Sequence, residues 1–487
     1  MNMKRYAILL LILGVLKTNG FTQDYVTVQY QIKSDLDITY GSAADVAGNV
    51  RQLKMEVSYP TDDTVKSCGR PLMILVHGGA FMAGDKAEAS LVTLREEFAK
   101  RGYVTASVNY RLGLFNTDKQ INCNVSSLGV NWNCLNMTDS SEWYRAYYRG
   151  IQDVHGAIRY LVNNRTTYRP DANNVFVVGE SAGGFIAMGV GFIDDSTEVM
   201  NNLTASMSNV NPPNKIYENA CVIGLGLDTS IASMNLARPA LGPYYGSLNP
   251  PLQNTYTIRG VGNFYGGAFN DIFKSHSTVT PVLYTFHQPN DLIVPFGYSR
   301  VFAGFNTCAM SFPFNCQGII SRPLMHGSKS IVDLIDTAKA KGQKVPDYLF
   351  ERTTNNANCA TQIANPSTAG HAYDNFTLRR NNLAKYFAPV IDTCGMNSIT
   401  RPSKLISVSL SPNPLHTGEN LIVYGPLEAG STIEIFSLSG ELMNAVKLEN
   451  PYHQTTVAWS NTRETGVYIV RITSGESTIS KRIVVLQ

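Results

Sequence analysis

The feature that most constrains the fold of this chain is the segment Asn174–Gly184, NVFVVGESAGG, in which an apolar run leads directly into a G-x-S-x-G sequence. The run predicts a buried strand, and the residues after Ser181 predict the start of a helix. The turn between them is tight, so Gly179 and Gly183 cannot carry bulky side chains. Such a turn lifts the Ser181 hydroxyl out of the sheet and points the Ala182 amide toward a developing oxyanion. The segment therefore predicts a nucleophilic serine.

A second glycine-rich turn, His77–Phe81 (HGGAF), follows the apolar run PLMILV. Its glycines leave backbone N–H groups unobstructed, which suits the other half of an oxyanion hole. We expect the amides of Gly79 and Ala80 to donate there, together with that of Ala182. His77 comes before the serine in the chain, so we expect it to brace the loop.

A serine hydroxyl needs a general base to become a nucleophile, and the base needs an acid to orient it. With this type of turn, the acid and then the histidine follow the serine in the chain. Asp291, on a turn just after the apolar run PVLYTF, is the favoured acid. Asp228, after the preceding predicted strand, and Asp271, in a helix-like stretch, are the alternatives.

Two histidines, His326 and His371, remain beyond Asp291 in the same predicted domain. His371 lies between the last predicted strand, DYLF, and the last predicted helix, and the loop after the final strand is where the base is expected. His326, before a helix-like stretch, is the alternative. His287, beside the acid, is a candidate cleft residue. The predicted catalytic set is Ser181, Asp291 and His371.

Around these motifs the chain alternates between apolar strand candidates and helix candidates. The predicted strands are Leu72–Val76, Val104–Asn109, Val175–Val178, Cys221–Leu225, Val282–Phe286 and Asp347–Phe350. The predicted helices are Ala87–Arg101, Tyr144–Asn164, Ala182–Phe192, Ser328–Lys341 and Asn375–Phe387. This alternation is typical of a mostly parallel sheet with helices on both faces, and two β-like runs near the start suit an antiparallel edge. Three interruptions are expected to be surface insertions: Phe115–Glu142, Asp194–Glu218 and Phe302–Pro323.

The last part of the chain has a different pattern, with short alternating strands. We place the catalytic domain at residues 23–395, a polar linker at 396–404 and a small all-β sandwich at 405–487. The sandwich has no cluster of titratable groups that suggests chemistry.

The motifs of the catalytic domain resemble those of the carboxylesterase and feruloyl-esterase-like branch of the α/β hydrolases. After HGGAF come VNYRL at Val108–Leu112, GIQDVHGAIRYL at Gly150–Leu161 and GESAGG at Gly179–Gly184, in the order and spacing of that family. The resemblance spans roughly residues 38–390.

This resemblance implies an α/β-hydrolase fold that works without a cofactor or metal. It implies Ser181 as the nucleophile, Asp291 as the acid and His371 as the base. It also gives Glu180 a supporting position behind the site. The long stretch 351–370 ahead of the base departs from the family pattern.

The C-terminal sandwich resembles another known module. Ser411–Pro414 (SPNP), Gly466–Ile472 (GVYIVRI) and the basic, apolar last strand are similar to the C-terminal sorting domain of cargo for the type IX secretion system. The resemblance implies that the type IX machinery is a partner and carries the protein across an outer membrane. A carbohydrate-binding or spacer sandwich is the alternative.

The N-terminus begins with Lys4 and Arg5, followed by the apolar block Tyr6–Leu16 and a polar stretch. This arrangement is typical of a secretory signal, here residues 1–22. The block is shorter than the roughly 20 apolar residues of a membrane span, so no transmembrane anchor is expected. The chain has a formal net charge of +3. The signal contains three cations, Lys4, Arg5 and Lys17, and no acidic residue, so the rest of the chain is near neutral. We therefore expect no nucleic-acid partner.

Eight cysteines follow the signal, and an even number in an exported protein favours disulfides. We expect local bridges between Cys123 and Cys134 and between Cys308 and Cys316, with the other pairings open. The sequence contains no CxxC pair or histidine cluster that points to a metal site.

Together these features predict a secreted or surface-held serine ester hydrolase that forms an acyl-enzyme. Its expected substrates are extracellular esters, such as acyl or feruloyl groups on polysaccharides. A secreted serine peptidase of the same fold is one alternative, although related peptidases usually carry a large additional domain. A non-catalytic surface adhesion protein is another, although such proteins generally lose the serine or the histidine.

Overall fold

The structure is a computed structural model of the full chain. It describes residues 25–46, 48–61, 68–114, 140–194, 198–199, 203, 206–210, 236–250, 255–269, 280–304, 322–353, 358–364, 370–392, 408–416, 419–437, 441–458, 465–474 and 477–486. The predicted signal, the linker 396–404, the strand Cys221–Leu225 and both predicted cysteine bridges lie outside these residues. The chain forms two compact units, Met1–Cys394 and Gly395–Gln487.

The first unit is built on an eight-stranded sheet. Its strands are β1 Ile32–Ala44, β2 Val50–Pro60, β3 Arg70–Val76, β4 Val104–Val108, β5 Pro170–Glu180, β8 Ile258–Phe264, β10 Val282–Phe286 and β13 Tyr348–Glu351. They lie in the spatial order β1-β2-β4-β3-β5-β8-β10-β13. The six strands from β4 to β13 are parallel, and β1 and β2 form the antiparallel edge that the sequence predicted.

Shorter strands lie outside the main sheet. They are β6 Met207–Val210, β7 Leu236–Arg238, β9 Gly267–Ala268, β11 Tyr298–Arg300 and β12 Leu324–Gly327. β6 pairs with β7, and β11, β12 and β9 form a three-stranded sheet.

The helices of this unit cover both faces of the sheet. They are α1 Ala89–Ala99, α2 Ser140–Asn163, α3 Arg165–Tyr168, α4 Ala182–Phe192, α5 Ser328–Ala340, α6 Cys359–Ala364 and α7 Phe376–Phe387, with a 3-10 turn at Ala388–Val390. Because successive side chains of a strand point to opposite faces, Leu72 and Ile74 of β3 join the core under α2 and α4. Met73 and Leu75 join the core under α1 and α7. The predicted parallel sheet covered on both faces is confirmed.

Helix α2 begins four residues before its predicted start, inside a segment that we expected to be a surface insertion. Its first turn carries Trp143, which is only 2% exposed and packs edge-to-face on Phe81 with ring centroids 6.3 Å apart. Tertiary packing of this ring therefore extends the helix beyond what its local sequence indicates.

The sequence did not predict β8, the strand beside β5. Its residues IRGVGNF include two glycines, which are unfavourable in an isolated strand. In the sheet, a Cβ on Gly260 would lie 2.8 Å from a ring carbon of Phe176 and 2.9 Å from one of Phe387. The glycines therefore make room for aromatic rings of the core.

The second unit is a β-sandwich, as predicted. Its strands are β14 Ser409–Ser411, β15 Leu415–His416, β16 Leu421–Leu427, β17 Thr432–Ser437, β18 Leu442–Lys447, β19 Tyr452–Val457, β20 Gly466–Ser474 and β21 Ser477–Leu486. One sheet has the order β14-β16-β19 and the other β15-β21-β20-β17-β18. Buried residues of both sheets, including Val423, Ile433 and Val470, form one hydrophobic core.

Candidate active site

The polar residues singled out in the sequence lie at the carboxyl edge of the parallel strands. His77 follows β3, and Ser181 follows β5. Asp291 lies in the turn after β10, and His371 lies between β13 and α7. Parallel strands bring such distant chain positions to one edge of the sheet, which is where α/β folds place their ligand sites.

Ser181 occupies the strained turn between β5 and α4. Its backbone has φ 52° and ψ −120°, a left-handed φ that is uncommon for a residue with a side chain. A Cβ on Gly179 would lie 2.0 Å from the Gly183 carbonyl oxygen, and a Cβ on Gly183 would lie 2.1 Å from that of Val76. Only glycine fits at either position, so the two glycines permit the turn that exposes the serine.

Ser181, His371 and Asp291 form a hydrogen-bonded chain. The Ser181 hydroxyl lies 2.8 Å from Nε2 of His371, and His371 Nδ1 lies 2.7 Å from Oδ2 of Asp291. Because a carboxylate only accepts, Nδ1 carries the proton and Nε2 is left to accept from the serine. This is the arrangement in which an imidazole can take the proton of an attacking hydroxyl.

Asp291 is buried and fully occupied as a hydrogen-bond acceptor. Its Oδ1 accepts from the amides of Ile293, at 2.8 Å, and Val294, at 3.1 Å. Burial alone would raise the pKa of Asp291, but the charges and hydrogen bonds of His371 and His287 outweigh it and lower the pKa to about 2. The carboxylate is therefore ionised at neutral pH and holds the base in one tautomer.

His287 is a second histidine on the same carboxylate, which the sequence suggested only as a cleft residue. Its Nε2 lies 3.1 Å from Oδ2 of Asp291 and 3.0 Å from the Val294 carbonyl oxygen. Both of these atoms are acceptors, so Nε2 is the protonated nitrogen. Nδ1 accordingly accepts, from the Ser328 amide at 3.4 Å. The spacing of four residues from the acid was the one available signal for this contact.

The loops that carry the acid and the base are held together by close backbone approach. A Cβ on Gly370 would lie 2.6 Å from the Asn290 carbonyl oxygen, so only glycine fits there. Gln288 donates through Nε2 to the Ala372 carbonyl oxygen at 2.9 Å. These contacts fix the position of His371 at the end of the long stretch that departs from the family pattern.

Glu180 lies behind the serine and ties the serine turn to the loop of the base. Its Oε1 accepts from the Tyr373 hydroxyl at 2.7 Å, and its Oε2 accepts from the Ser90 hydroxyl at 3.0 Å. Burial raises the pKa of Glu180. The Tyr265 ring packs edge-to-face on the His371 imidazole, with centroids 4.9 Å apart. The loop of His371 is thus held by the Glu180–Tyr373 hydrogen bond and by the packing of the Tyr265 ring on the imidazole.

The HGG turn lies against the nucleophile. A Cβ on Gly78 would lie 3.1 Å from Cβ of Ser181. Gly79 and Ala80 both have left-handed backbones, with φ of 97° and 52°. Ala182, the third predicted oxyanion donor, begins α4 directly after the serine. The turn that carries Gly79 and Ala80 and the first residue of α4 therefore both lie next to Ser181.

His77 is enclosed beneath this turn. Its Nδ1 lies 2.8 Å from the Gly78 carbonyl oxygen, and its ring stacks on Tyr110 with centroids 4.4 Å apart. Burial lowers the pKa of His77 to about 4, so the ring is neutral at physiological pH. It therefore packs as a brace beneath the HGG turn.

The alternative base, His326, lies elsewhere. It is on β12, where its Nδ1 is 2.8 Å from the Ser330 hydroxyl and its ring lies 4.6 Å from that of Tyr298. The structure therefore brings His371, and not His326, to the serine. The alternative acids Asp228 and Asp271 lie outside the described residues.

The helix that follows the nucleophile carries one ring of a buried aromatic cluster. Phe185, in the first turn of α4, donates its amide to the Ser181 carbonyl oxygen at 3.2 Å. Its ring lies 4.7 Å from that of Phe269 and 6.2 Å from that of Phe81 in the HGGAF turn. All three rings are almost fully buried and belong to the hydrophobic core of the first unit.

In the ranges that the structure describes, no group of three or more His, Cys, Asp or Glu side chains is arranged so that it could hold a metal ion. None of the helices in those same ranges has the length and apolar character of a membrane span.

Two protein families match the chain. Residues 55–121 and 136–229 match the BD-FAE family, and residues 409–486 match the secretion system C-terminal sorting domain. A sorting domain of this kind marks a protein as secreted or cell-surface.

The curated relatives share only part of this chain. Carboxylesterase 3 from Pongo abelii is 29% identical over 132 residues, which are 27% of this chain and 19% of that protein. The neuroligin-like protein glit-1 from Caenorhabditis elegans is 33% identical over 122 residues, which are 25% of this chain and 13% of that protein. The chain thus spans about a fifth or less of the length of these relatives.

Solved structures of esterases also align with the chain. Esterase B from Lactobacillus rhamnosis aligns with a TM-score of 0.38 at 13% identity, over 75% of this chain and 87% of that one. A truncated carbohydrate esterase from gut microbiota aligns with a TM-score of 0.35 at 13% identity, over 74% and 98%. The sheet order of the first unit is that of an α/β-hydrolase fold, and parts of the chain match the BD-FAE family and the C-terminal sorting domain of a secretion system.

Proposed function

We propose that this protein is a secreted serine carboxylic ester hydrolase that works through an acyl-enzyme. The observation that carries the proposal is the hydrogen-bonded chain from Ser181 through His371 to Asp291. The matches to the BD-FAE family and to carboxylesterases support ester substrates. The match to the sorting domain supports action outside the cell.

In the first half of the reaction, the Ser181 hydroxyl attacks the ester carbonyl while Nε2 of His371 takes its proton. Asp291 stabilises the imidazolium that forms. The amides of Gly79, Ala80 and Ala182 donate to the oxyanion of the tetrahedral intermediate. The imidazolium then gives its proton to the departing alcohol, which leaves an ester bond between the acyl group and the serine oxygen.

The second half repeats these steps with water in place of the serine. His371 takes a proton from the water, the hydroxide adds to the acyl carbon, and the serine oxygen leaves with the proton that the imidazolium returns. The products are a carboxylic acid and the regenerated enzyme. The protein groups already named supply every proton transfer, so the proposal needs no cofactor.

For the substrate, we propose acyl or feruloyl esters on extracellular polysaccharides. The match to the secretion sorting domain supports access to such polymers. The test compares release of acetate and ferulate from acylated plant polysaccharides with cleavage of small lipid esters. Release from the polysaccharides is expected, and exclusive cleavage of the lipid esters would contradict the proposed substrate class.

Assays with peptide amides and matched esters distinguish two other functions, a peptidase and an adhesion protein. A peptidase would turn over peptide amides as fast as matched esters, whereas an esterase is expected to favour the ester by several orders of magnitude. An adhesion protein would hydrolyse neither. The intact contact between Ser181 and His371 favours the enzyme.

A further inference from the structure

A cavity of about 710 Å³ opens far from Ser181 in the hydrolase unit. Its walls include Val190 and Ile193 at the C-terminal end of α4, and Ile258 at the start of β8. Ser181 immediately precedes the other end of α4. The eleven residues of that helix correspond to about 16 Å at 1.5 Å per residue. The cavity is thus at the opposite edge of the sheet from the nucleophile, and its volume is typical of small-molecule sites.

Arg159 of α2 lies in the wall of this cavity and is only 5% exposed. Its Nε donates to the carbonyl oxygens of Leu248, at 2.7 Å, and Asn249, at 3.0 Å. Within the described residues, its Nη2 has no hydrogen-bond partner, and the ion pairs found there include none to this guanidinium. A buried cation without a counter-ion is costly, so the site favours an anion.

His155, one helical turn before Arg159, supplies a second donor. The Tyr256 hydroxyl lies 2.5 Å from Nδ1 of His155 and can donate to it. In that tautomer the His155 proton is on Nε2, and no atom of the described residues accepts it.

The charge of this pair comes from Arg159 alone. Burial, followed by the charge of Arg159, lowers the pKa of His155 to about 3, so the imidazole is neutral at physiological pH. Asp194 is the one carboxylate among the described lining residues, and it is exposed at the end of α4. Solvent and salt screen an exposed charge strongly. The enclosed part of the cavity is therefore cationic and rich in donors.

Two tyrosines provide ring faces at the mouth of the cavity. The rings of Tyr244 and Tyr245 have centroids 5.2 Å apart and lie at 80° to each other. Tyr245 is 51% exposed, which is a large exposed apolar surface for one side chain. Tyrosine rings offer a flat apolar face together with a polar edge, and such surfaces pack well on the rings of ligands.

We propose that this cavity binds a carboxylate carried on a ring, with Arg159 and His155 donating to the carboxylate and Tyr244 and Tyr245 packing on the ring. Uronic acid units of polysaccharides and free aromatic acids share this chemistry. The proposal goes beyond the esterase function and does not depend on it, because the cavity and Ser181 share no residue.

The test measures binding to the purified full-length protein by calorimetry or ligand-observed NMR. The probes are D-glucuronate, di-galacturonate and 4-hydroxycinnamate, with glucose as the neutral control, and the protein is used both as wild type and as Ser181→Ala. At least one ring carboxylate should bind both proteins equally, and glucose should bind about tenfold or more weakly. Preference for the uronates would identify a sugar acid as the ligand, and preference for the cinnamate would identify an aromatic acid.

The variant Arg159→Gln should weaken binding of the ring carboxylate about tenfold or more, because a charge-assisted hydrogen bond is lost. Since Arg159 also holds the 241–250 loop through Leu248 and Asn249, a second variant is needed. Tyr245→Ala removes an exposed ring and should weaken binding several-fold without changing the melting temperature. Hydrolysis of nitrophenyl acetate should be unchanged in Tyr245→Ala.

Three results would each overturn the proposal. They are absence of binding by every ring carboxylate, equal binding of glucose, and unchanged affinity in both variants. Failure of the esterase proposal would instead appear as an inert wild-type protein in the nitrophenyl acetate assay, so the two proposals fail separately.

Discussion

His287 and His155 are both almost fully enclosed, at 0% and 4% exposure, and they lie at opposite edges of the same sheet. Both ring nitrogens of His287 have partners, Asp291 on one side and Ser328 on the other. His155 has a partner at Nδ1 alone. The difference indicates that the second histidine on Asp291 is fully hydrogen-bonded before substrate arrives, as electrostatic preorganisation requires. The other edge contains donors that a ligand would satisfy.

The largest effect expected at the catalytic edge is on the base. His371→Ala should lower kcat for a nitrophenyl ester by about 10⁴–10⁶-fold, because triad members act as a unit. His326→Ala, the matched control at the alternative histidine, should change kcat by less than about twofold, because His326 contacts Ser330 and Tyr298 instead. A large loss in His326→Ala with an active His371→Ala would reverse the assignment.

The buried acid should make the hydrolase unit sensitive to acid. Its folded-state pKa of about 2 is below the ordinary value of about 3.9. Its contribution is therefore fully present above about pH 4 and is lost as the pH falls through about 2; it amounts to no more than about 2–3 kcal/mol. Denaturant unfolding at a series of pH values should show a steeper loss below pH 4 in the wild type than in Asp291→Asn. Parallel pH dependence in the two proteins would contradict this contribution.

His287 should act on the reaction through Asp291. His287→Phe removes the donor to the carboxylate and is expected to lower kcat about 10–100-fold with little change in KM, because the base is held less accurately. The carboxylate, with one donor fewer, should stabilise the imidazolium of His371 more strongly. The acid limb of the pH–rate profile should therefore move to higher pH. A lower melting temperature with an unchanged pH profile would indicate a purely structural role.

The smallest effect is expected at the opposite edge. Tyr245→Ala truncates a half-exposed ring and should change the free energy of unfolding by less than about 1 kcal/mol. The rate of nitrophenyl ester hydrolysis should stay within about twofold of wild type, since this ring lines the cavity at the end of α4 that is remote from Ser181. A large loss of hydrolysis in Tyr245→Ala would show that the two edges of the sheet are not functionally independent.

The residues proposed for catalysis could be picked out of the sequence because the chemistry they suggest has strict local requirements. The turn at Ser181 needs Gly179 and Gly183 for steric reasons that the pattern states directly. The order of the acid and base along the chain then led to Asp291 and His371. Helix α4 was predicted with both of its ends correct, since its apolar residues follow the turn without interruption.

Other features depend on contacts between distant segments and could not be predicted in this way. The glycines of β8 argue against a strand until the rings of Phe176 and Phe387 are known to lie over them. His287 appeared only as a neighbour of the acid, because its partner Ser328 is 41 residues away. Arg159 looks like an ordinary helical cation in sequence, and its burial follows from packing of the 241–250 loop.

The most direct test of the account is covalent labelling of the nucleophile. The purified protein is treated with an alkyl fluorophosphonate, ester hydrolysis is followed over time, and the labelled site is mapped by peptide mass spectrometry. We predict one phosphonyl group per chain, on Ser181, with activity lost in proportion to labelling and with much slower labelling in His371→Ala. Hydrolysis that persists after complete labelling of Ser181, or inactivation with the label on another residue, would contradict the account.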